Sequence, residues 1–563
     1  MKENNLRIFI ILFKLFKKFK RRRKLQIFSL FFIIFTSASF ELITLSLAFP
    51  FLGIITNTGN IGNVELINAF FKNLGFSINE DLFLPIVVLF ASTAFLSAII
   101  KNFNLWLGAR LAASIGSDLS YECFKTNLYQ DYEQYIKRNS SELITNNTVY
   151  INEVTDTLQL SARFFTAIII SIFISIYLLS FNFIFSLLAI LVFSIAYFVI
   201  ARFSKSRLRR NSQLIAVNTK NQVKLMQESN GLIKNIILGG FQKRYLTEYK
   251  SLDFKRRIAE AQNLFINLFP RNTIESLLLI FVAIVSYLIS KGSSSNLIIP
   301  TIGTFAIGAQ KLLPYMQQTY GSWSSLVGSS ESILKVFQIL QITQNNYELK
   351  KKSKLIIFKN NIVVNNLAFR YQNTKRYIFK NTSFLINKGE IVGIYGATGS
   401  GKSSLIDILM GIIKPTKGYL EIDGIKIFNE ENLKHLIDWR KQISHVPQMI
   451  YLLDSTLAKN IAFEDSNNVE LKRVKEAARK ANIDEYIESL PEGYLTRVGE
   501  NGITLSGGQR QRIGLARALY KRSSVLVFDE ATSALDINTE NKILETIYDL
   551  KGSKTIFIIS HRP

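Results

Sequence analysis

The chain has a single cysteine, Cys123, in 563 residues. No internal disulfide and no cysteine-held metal cluster is available to it, so Cys123 reads as a small, semi-buried residue. Acidic residues are also short, 42 Asp and Glu against 68 Lys and Arg, which leaves a formal charge of +26. An excess of that size points to nucleic acid or to an anionic membrane surface. The long apolar runs that alternate with the basic stretches decide for the membrane and against nucleic acid. Such runs are missing after about residue 341, where the character changes. A secretory cleavage site is missing too. The basic start (Lys14, Lys17, Lys18, Lys20, Arg21, Arg22, Arg23, Lys24) precedes an apolar run over about 25–55, too long for a signal core and with no small-residue site to end it.

What is present in the first half is a set of six runs long enough to cross a bilayer. They lie at about 25–55, 82–107, 164–179, 183–203, 274–289 and 298–313. The last is the weakest, interrupted by Gly303, Gly308 and Lys311. The 57–81 loop carries Glu65, Glu80 and Asp81 against Lys72, whereas the connectors 108–162 and 204–273 are rich in Lys and Arg. Positive charge therefore gathers on the side of the N-terminus, which places both ends of the six-span unit in the cytoplasm. The two connectors keep helical periodicity, as in 214–238 and 245–264, and read as spans that continue past the membrane. Turning points are expected near Asn139–Thr145 and Asn230–Leu238. Four charges fall in or beside the spans: Glu41, Lys101, Glu275 and Lys311. Intramembrane charge is costly; these four either line a polar passage, or pair with one another while the lysines snorkel.

The stretch 342–355 reads as a polar linker, and from residue 356 short β-like runs alternate with helices, an α/β pattern. Here Gly396-Ala397-Thr398-Gly399-Ser400-Gly401-Lys402-Ser403 fits the phosphate-loop spacing, with a strand before it and a helix from Ser404. Glycines let backbone N–H groups turn toward phosphates at a helix N-terminus. Lys402 is placed for the terminal phosphates and Ser403 for Mg²⁺. Four constellations follow in order. Gln448 ends a β-like run and is placed for Mg²⁺ or the attacking water. Ser506-Gly507-Gly508-Gln509 opens a helix toward an anion. Asp529 and Glu530 end an apolar strand, the first a Mg²⁺ support and the second a general base. His561 ends another strand, where ligands gather in open α/β sheets.

Together these residues resemble the ATPase domain of ABC transporters, exporter type. Gly396–Ser403 resembles Walker A, Gln448 the Q-loop, Leu505–Gln509 the signature, Val525–Glu530 Walker B, Ser533–Asp536 the D-loop and His561 the switch histidine. Tyr371 resembles the aromatic that stacks on adenine, and Arg497–Glu500 the segment that contacts the membrane domain in exporters. The resemblance implies an all-α six-helix transmembrane domain (1–341) with long cytoplasmic extensions, a linker (342–355) and an α/β P-loop ATPase domain (356–563). It implies ATP and Mg²⁺ as cofactors. ATP would be held by Tyr371 and Gly396 through Ser404 of one copy and by Ser506–Gln509 of the other, so that a homodimer has two active sites. The two turning points fall where the family's coupling helices lie. The family's domain continues past the switch histidine, whereas this sequence stops at Pro563: either it is truncated or the domain ends short, which would leave a sheet edge uncovered.

Substrate identity is carried by less. The stretch Phe40–Phe51 is similar to the first span of bacterial lipid-linked oligosaccharide flippases, and Pro270-Arg271 with Glu275 to a fifth-span feature there. No peptidase-like domain precedes the first span, which counts against exporters that cleave leader peptides. The expectation is a multi-pass flippase of the cytoplasmic membrane, with buried cations such as Lys101 or Lys311 meeting a headgroup phosphate. The alternatives are an exporter of other lipids, drugs or peptides, and a membrane ATPase that regulates a partner and transports nothing.

Overall fold

The computed structural model describes residues 3–55, 83–181, 183–292, 295–342, 357–371, 374–429, 433–464, 469–499, 502, 505–530 and 537–560. The chain divides into two compact units, residues 1–130 with 138–343, and residues 131–137 with 344–563.

The described residues of the first unit form helices and the short turns between them. Its apolar residues sort by helical period: in Arg21–Ser46 the side chains Leu30, Ile34, Ala38, Glu41 and Leu45 turn inward, while Phe28, Phe32 and Phe35 stay exposed. An inward stripe at spacings of three and four is a helix face against its neighbours. The outward phenylalanines suit lipid, and Phe35 also meets the Phe173 ring edge-on at 6.3 Å. The same holds for Leu84, Val88 and Phe95 of Phe83–Tyr129. Arg21–Ser46 packs on Phe83–Tyr129, Ile151–Phe181 on Ser295–Gly328, and Phe183–Gly231 on Gln242–Gly292. Lengths of 47, 49 and 51 residues in three of these helices, at 1.5 Å per residue, run well beyond a bilayer core of about 30 Å. Five helices among the described residues have the length and apolarity to cross a membrane. The sixth expected run lies on Ser295–Gly328, most of whose side chains before residue 306 fall outside the description.

One turning point differs from expectation. The chain reverses at 130–139 around the short helix Tyr132–Tyr135, not at Asn139–Thr145. Asn139 is the N-cap of Ser140–Thr145, its side-chain oxygen accepting from Ser141 N–H at 3.2 Å. Its polar neighbourhood starts the next helix, because Asn satisfies the free N–H groups there. The second reversal agrees with expectation: Ile233–Leu238 is a separate short helix, ended by Gly239 and by Gly240 at φ 65°.

The second unit holds two four-stranded sheets. An antiparallel one runs β2-β1-β4-β5, with β1 Asn361–Phe369, β2 Phe379–Asn387, β4 Lys417–Ile422 and β5 Ile425–Lys426. A parallel one runs β3-β8-β7-β6, with β3 Ile391–Tyr395, β6 Ile443–Val446, β7 Val525–Asp529 and β8 Thr555–Ser560. In β7 the run Val525-Leu-Val-Phe528 is wholly buried, as a parallel strand covered on both faces requires. Register pairs Tyr395 with Ser560, Asp529 with Ile559 and Phe528 with Val446. The C-terminal ends of the four strands therefore form one rim.

Candidate nucleotide site and membrane charge cluster

That rim collects the chemistry. β3 delivers residues 396–401, and the helix Lys402–Leu409 leaves from Gly401. Gly399 and Gly401 have φ of 81° and 96°, the left-handed region, where glycine alone is free of strain. At Gly401 an added Cβ would lie 2.3 Å from Ile378 Cγ2. The loop's curl thus depends on glycine both by dihedral and by space. Lys402 Nζ donates to the carbonyls of Gly396 (2.8 Å) and Ala397 (3.2 Å), which holds the ammonium inside the loop. Ser404 Oγ lies 3.3 Å from the Tyr371 hydroxyl, and the Tyr371 ring sits edge-on to Phe369 at 5.0 Å. The donor set fits a polyphosphate: an ammonium, a glycine-bent loop and a helix N-terminus converge on one side.

On the neighbouring strands Gln448 Nε2 donates to Glu530 Oε2 at 2.7 Å. Glu530 sits at φ 49°, and its N–H donates to Ile559 O at 3.2 Å. A non-glycine residue in that region is strained backbone, the kind that gathers at functional sites. Asp529, Gln448 and Ser403 offer the hard oxygens that suit Mg²⁺.

Two groups that sequence reasoning missed share this rim. Asp407, five residues past Lys402, has its carboxyl pushed up to about 6, first by burial and then by the Asp529 charge. His445 on β6, exposed on its strand, has its pKa lowered by local desolvation, with Asp529 acting in the opposite sense. An acid among Leu405, Ile406, Ile408 and Leu409 was the available signal for Asp407.

Ser506 is the N-cap of Gly507–Tyr520. Its Oγ accepts from Gln509 N–H at 3.2 Å, while Gln509 Oε1 accepts from Ser506 N–H at 2.8 Å. This reciprocal capping box fixes the helix entrance and leaves the Gly507 and Gly508 N–H groups at the dipole's positive end. His561, Ser533–Asp536 and Glu500 lie outside the described residues.

In the helical unit, three of the four span charges meet. Glu41, 2% exposed, accepts from Ser97 Oγ at 2.8 Å, pairs with Lys101, and has Lys311 Nζ at 3.2 Å. Glu275 does not join them. It is exposed and lies 4.0 Å from Arg271 one turn earlier on its own helix. The i,i+4 spacing satisfies it locally. Lys101 also lines a cavity of about 200 Å³ with Asn104, Gln159, Arg163, Tyr315 and Gln318. Arg163 Nε is buried there without a hydrogen-bond partner. Sequence reading missed Arg163 because it sits at the edge of the third apolar run, one residue before Phe164.

Helices of membrane-spanning type are thus followed by a P-loop α/β unit whose strand rim carries this donor set. Residues 379–533 match the ABC transporter family. The chain is 28% identical over 491 residues to the ATP-dependent lipid A-core flippase of Pseudomonas syringae pv. tomato, covering 85% of this chain and 78% of that protein. It is 35% identical over 292 residues to the flippase of the same name from Alkalilimnicola ehrlichii, covering 50% and 47%. It is 33% identical over 271 residues to ABC transporter B family member 29, chloroplastic, of Arabidopsis thaliana, covering 48% and 42%. Curated relatives at 33–40% identity are spanned over a third to a half of their own length. The fold is similar to a structure of a bacterial Atm1-family ABC exporter with ATP bound, with a TM-score of 0.75 at 20% identity over 96% of this chain and 91% of that one.

Proposed function

We propose that this chain is an ATP-driven flippase of the cytoplasmic membrane that works as a homodimer and moves a lipid with an anionic, glycan-bearing headgroup. The observation that carries the cargo class is the cavity beside Glu41. Glu41 offsets one of its two lysines, and Arg163 adds a further cation whose Nε lacks a partner. An apolar drug has no use for that surplus, whereas a phosphate or pyrophosphate oxygen satisfies it by charge-assisted hydrogen bonds. Flippases of lipid A-core among the relatives accord with this reading, and a lipid-linked oligosaccharide is the finer form of it. An exporter of other lipids is the second reading.

Tyr371, the 396–401 loop, Lys402, Ser403 and Ser404 would hold the nucleotide, with Ser506–Gln509 of a second copy closing over it. Ser403, Gln448 and Asp529 would hold Mg²⁺. When bound, ATP supplies a phosphoanhydride whose cleavage releases the two copies from each other. Lys402 exchanges its two loop carbonyls for phosphate oxygens. Glu530, held by Gln448, takes the proton of the attacking water at a carboxylate oxygen, and His561 steadies the charge that develops.

Vesicles containing the full chain and a fluorescent lipid-linked glycan test this. ATP should move the headgroup between leaflets, and Glu530→Gln should stop the movement. Steady ATP turnover with an immobile headgroup, across glycan and phospholipid cargoes alike, would instead support a regulator that transports nothing.

A further inference from the structure

A second cavity, of about 530 Å³, lies in the helical unit between the N-terminal helix Glu3–Lys18 and the helices Arg21–Ser46, Phe83–Tyr129 and Ile151–Phe181. Among the described residues its lining includes Leu15, Phe16, Leu30, Ile34, Leu111 and Ile115, and Ser161 is the one polar side chain. A cavity of roughly 150 Å³ with such walls stays dry and takes a benzene ring. By that scale this one has room for roughly twenty carbons, the length of a fatty acyl chain rather than of a metabolite.

Apolar walls alone select no occupant in a membrane, since a lipid tail is equally at ease in the bilayer. Selection has to come from the rim, and the rim is cationic. Lys17 Nζ lies 5.0 Å from the ring centre of Phe13 and Lys24 Nζ 5.8 Å from that of Phe16, and both rings line the cavity. Lys24 Nζ also donates to Lys17 O at 2.9 Å, which brings the two ammonium-bearing segments together. Arg23 is neutralised by Asp118 at 2.8 Å. Among the described residues no carboxylate is paired with Lys17, Lys20, Arg21, Arg22 or Lys24.

We infer that this cavity takes an acyl chain of an anionic glycerophospholipid of the cytoplasmic leaflet, with its phosphate held by Lys17 and Lys24. The site adjoins the Lys101–Arg163 cavity, sharing Gly108 and Ala162 as a wall, but its cationic rim is its own and does not depend on which lipid is transported. A basic cluster beside a membrane helix draws anionic lipid severalfold per lysine. The buried chain wedges the N-terminal helix against the bundle and fills a void that would otherwise forfeit packing.

The full chain in phosphatidylcholine vesicles, doped with phosphatidylglycerol bearing a photoactivatable group near its acyl end, provides the test. Crosslinks should map to Leu111, Ala112 and Ile115, and the same probe on a phosphatidylcholine headgroup should label them severalfold less. Lys17→Glu with Lys24→Glu should reduce phosphatidylglycerol labelling to the phosphatidylcholine level. Ala112→Phe, which fills the cavity, should abolish labelling there; if that variant unfolds, the surface lysine pair still decides. Equal labelling by both headgroups, or crosslinks confined to the outward Phe28 and Phe32, overturns the inference. Competition by lipid-linked glycan but not by excess phosphatidylglycerol also overturns it, by assigning the cavity to cargo.

Discussion

Glu41 shows how much rests on single side chains. Its carboxylate is buried and shared by Lys101 and Lys311, with Ser97 completing its shell. Glu41→Gln removes the charge and strands two lysines, and breaking a buried pair in this way costs about 3–5 kcal/mol. A marked drop in the thermal midpoint of the detergent-solubilised protein is expected; an unchanged midpoint would show that the lysines find other partners. At the nucleotide rim, Glu530→Gln should lower ATP turnover about 10²–10⁴-fold, the usual worth of a general base, while nucleotide binding measured by fluorescence persists. Asp407 gives the pH prediction. Its pKa is raised to about 6 in the folded state, so the fold binds a proton more tightly than the unfolded chain. The associated stability is complete below the ordinary Asp pKa and fades as pH rises through about 6. Asp407→Asn should therefore stabilise the ATPase unit at pH 8, by roughly 1 kcal/mol after discounting for its partial exposure, and have no benefit at pH 4. Melting curves at the two pH values check the sign. Lys402, Ser506 and Glu530 were legible because their chemistry requires fixed residue types at fixed spacing. Asp407, His445 and Arg163 belong to no such pattern, and only their neighbours in the fold mark them out.

Elements were legible where periodicity was strong and elusive where caps resemble turns. The apolar runs and the strand–loop–helix around Lys402 follow from patterns of period 3.6 and from runs typical of a parallel sheet. The reversal at 130–139 was displaced because Asn, Ser and Ser at 139–141 serve equally for a turn and for a helix start. Close helix approach was not legible. Gly116 faces Thr155 so tightly that an added Cβ would lie 2.2 Å from Thr155 Oγ1, and small residues at such crossings let helix backbones approach. Gly116→Leu should push Phe83–Tyr129 away from Ile151–Phe181, lowering the thermal midpoint and uncoupling ATP turnover from cargo movement. Thr155→Ala in the same background should restore part of the loss. Absence of that rescue would place the effect elsewhere than in this contact.

At the scale of the whole molecule, the ATPase unit presents a phosphate loop and a signature helix, and the proposed cycle needs these from two copies. Cysteine pairs at Ser400 and Ser506, in a Cys123→Ser background, should crosslink between chains when ATP is bound and Glu530→Gln prevents turnover. Exclusively intrachain or no crosslinking under saturating ATP would remove the homodimer reading. Order along the chain was enough to expect a membrane half, an ATPase half and the motif inventory, because span length, charge asymmetry and phosphate-loop spacing are local constraints that any fold must respect. Tertiary structure decided which charges meet. Glu41, Lys101 and Lys311 lie 60 and 210 residues apart, yet share one low-dielectric site where an unpaired charge is too costly, while Glu275, with Arg271 one turn away, had no need to join them.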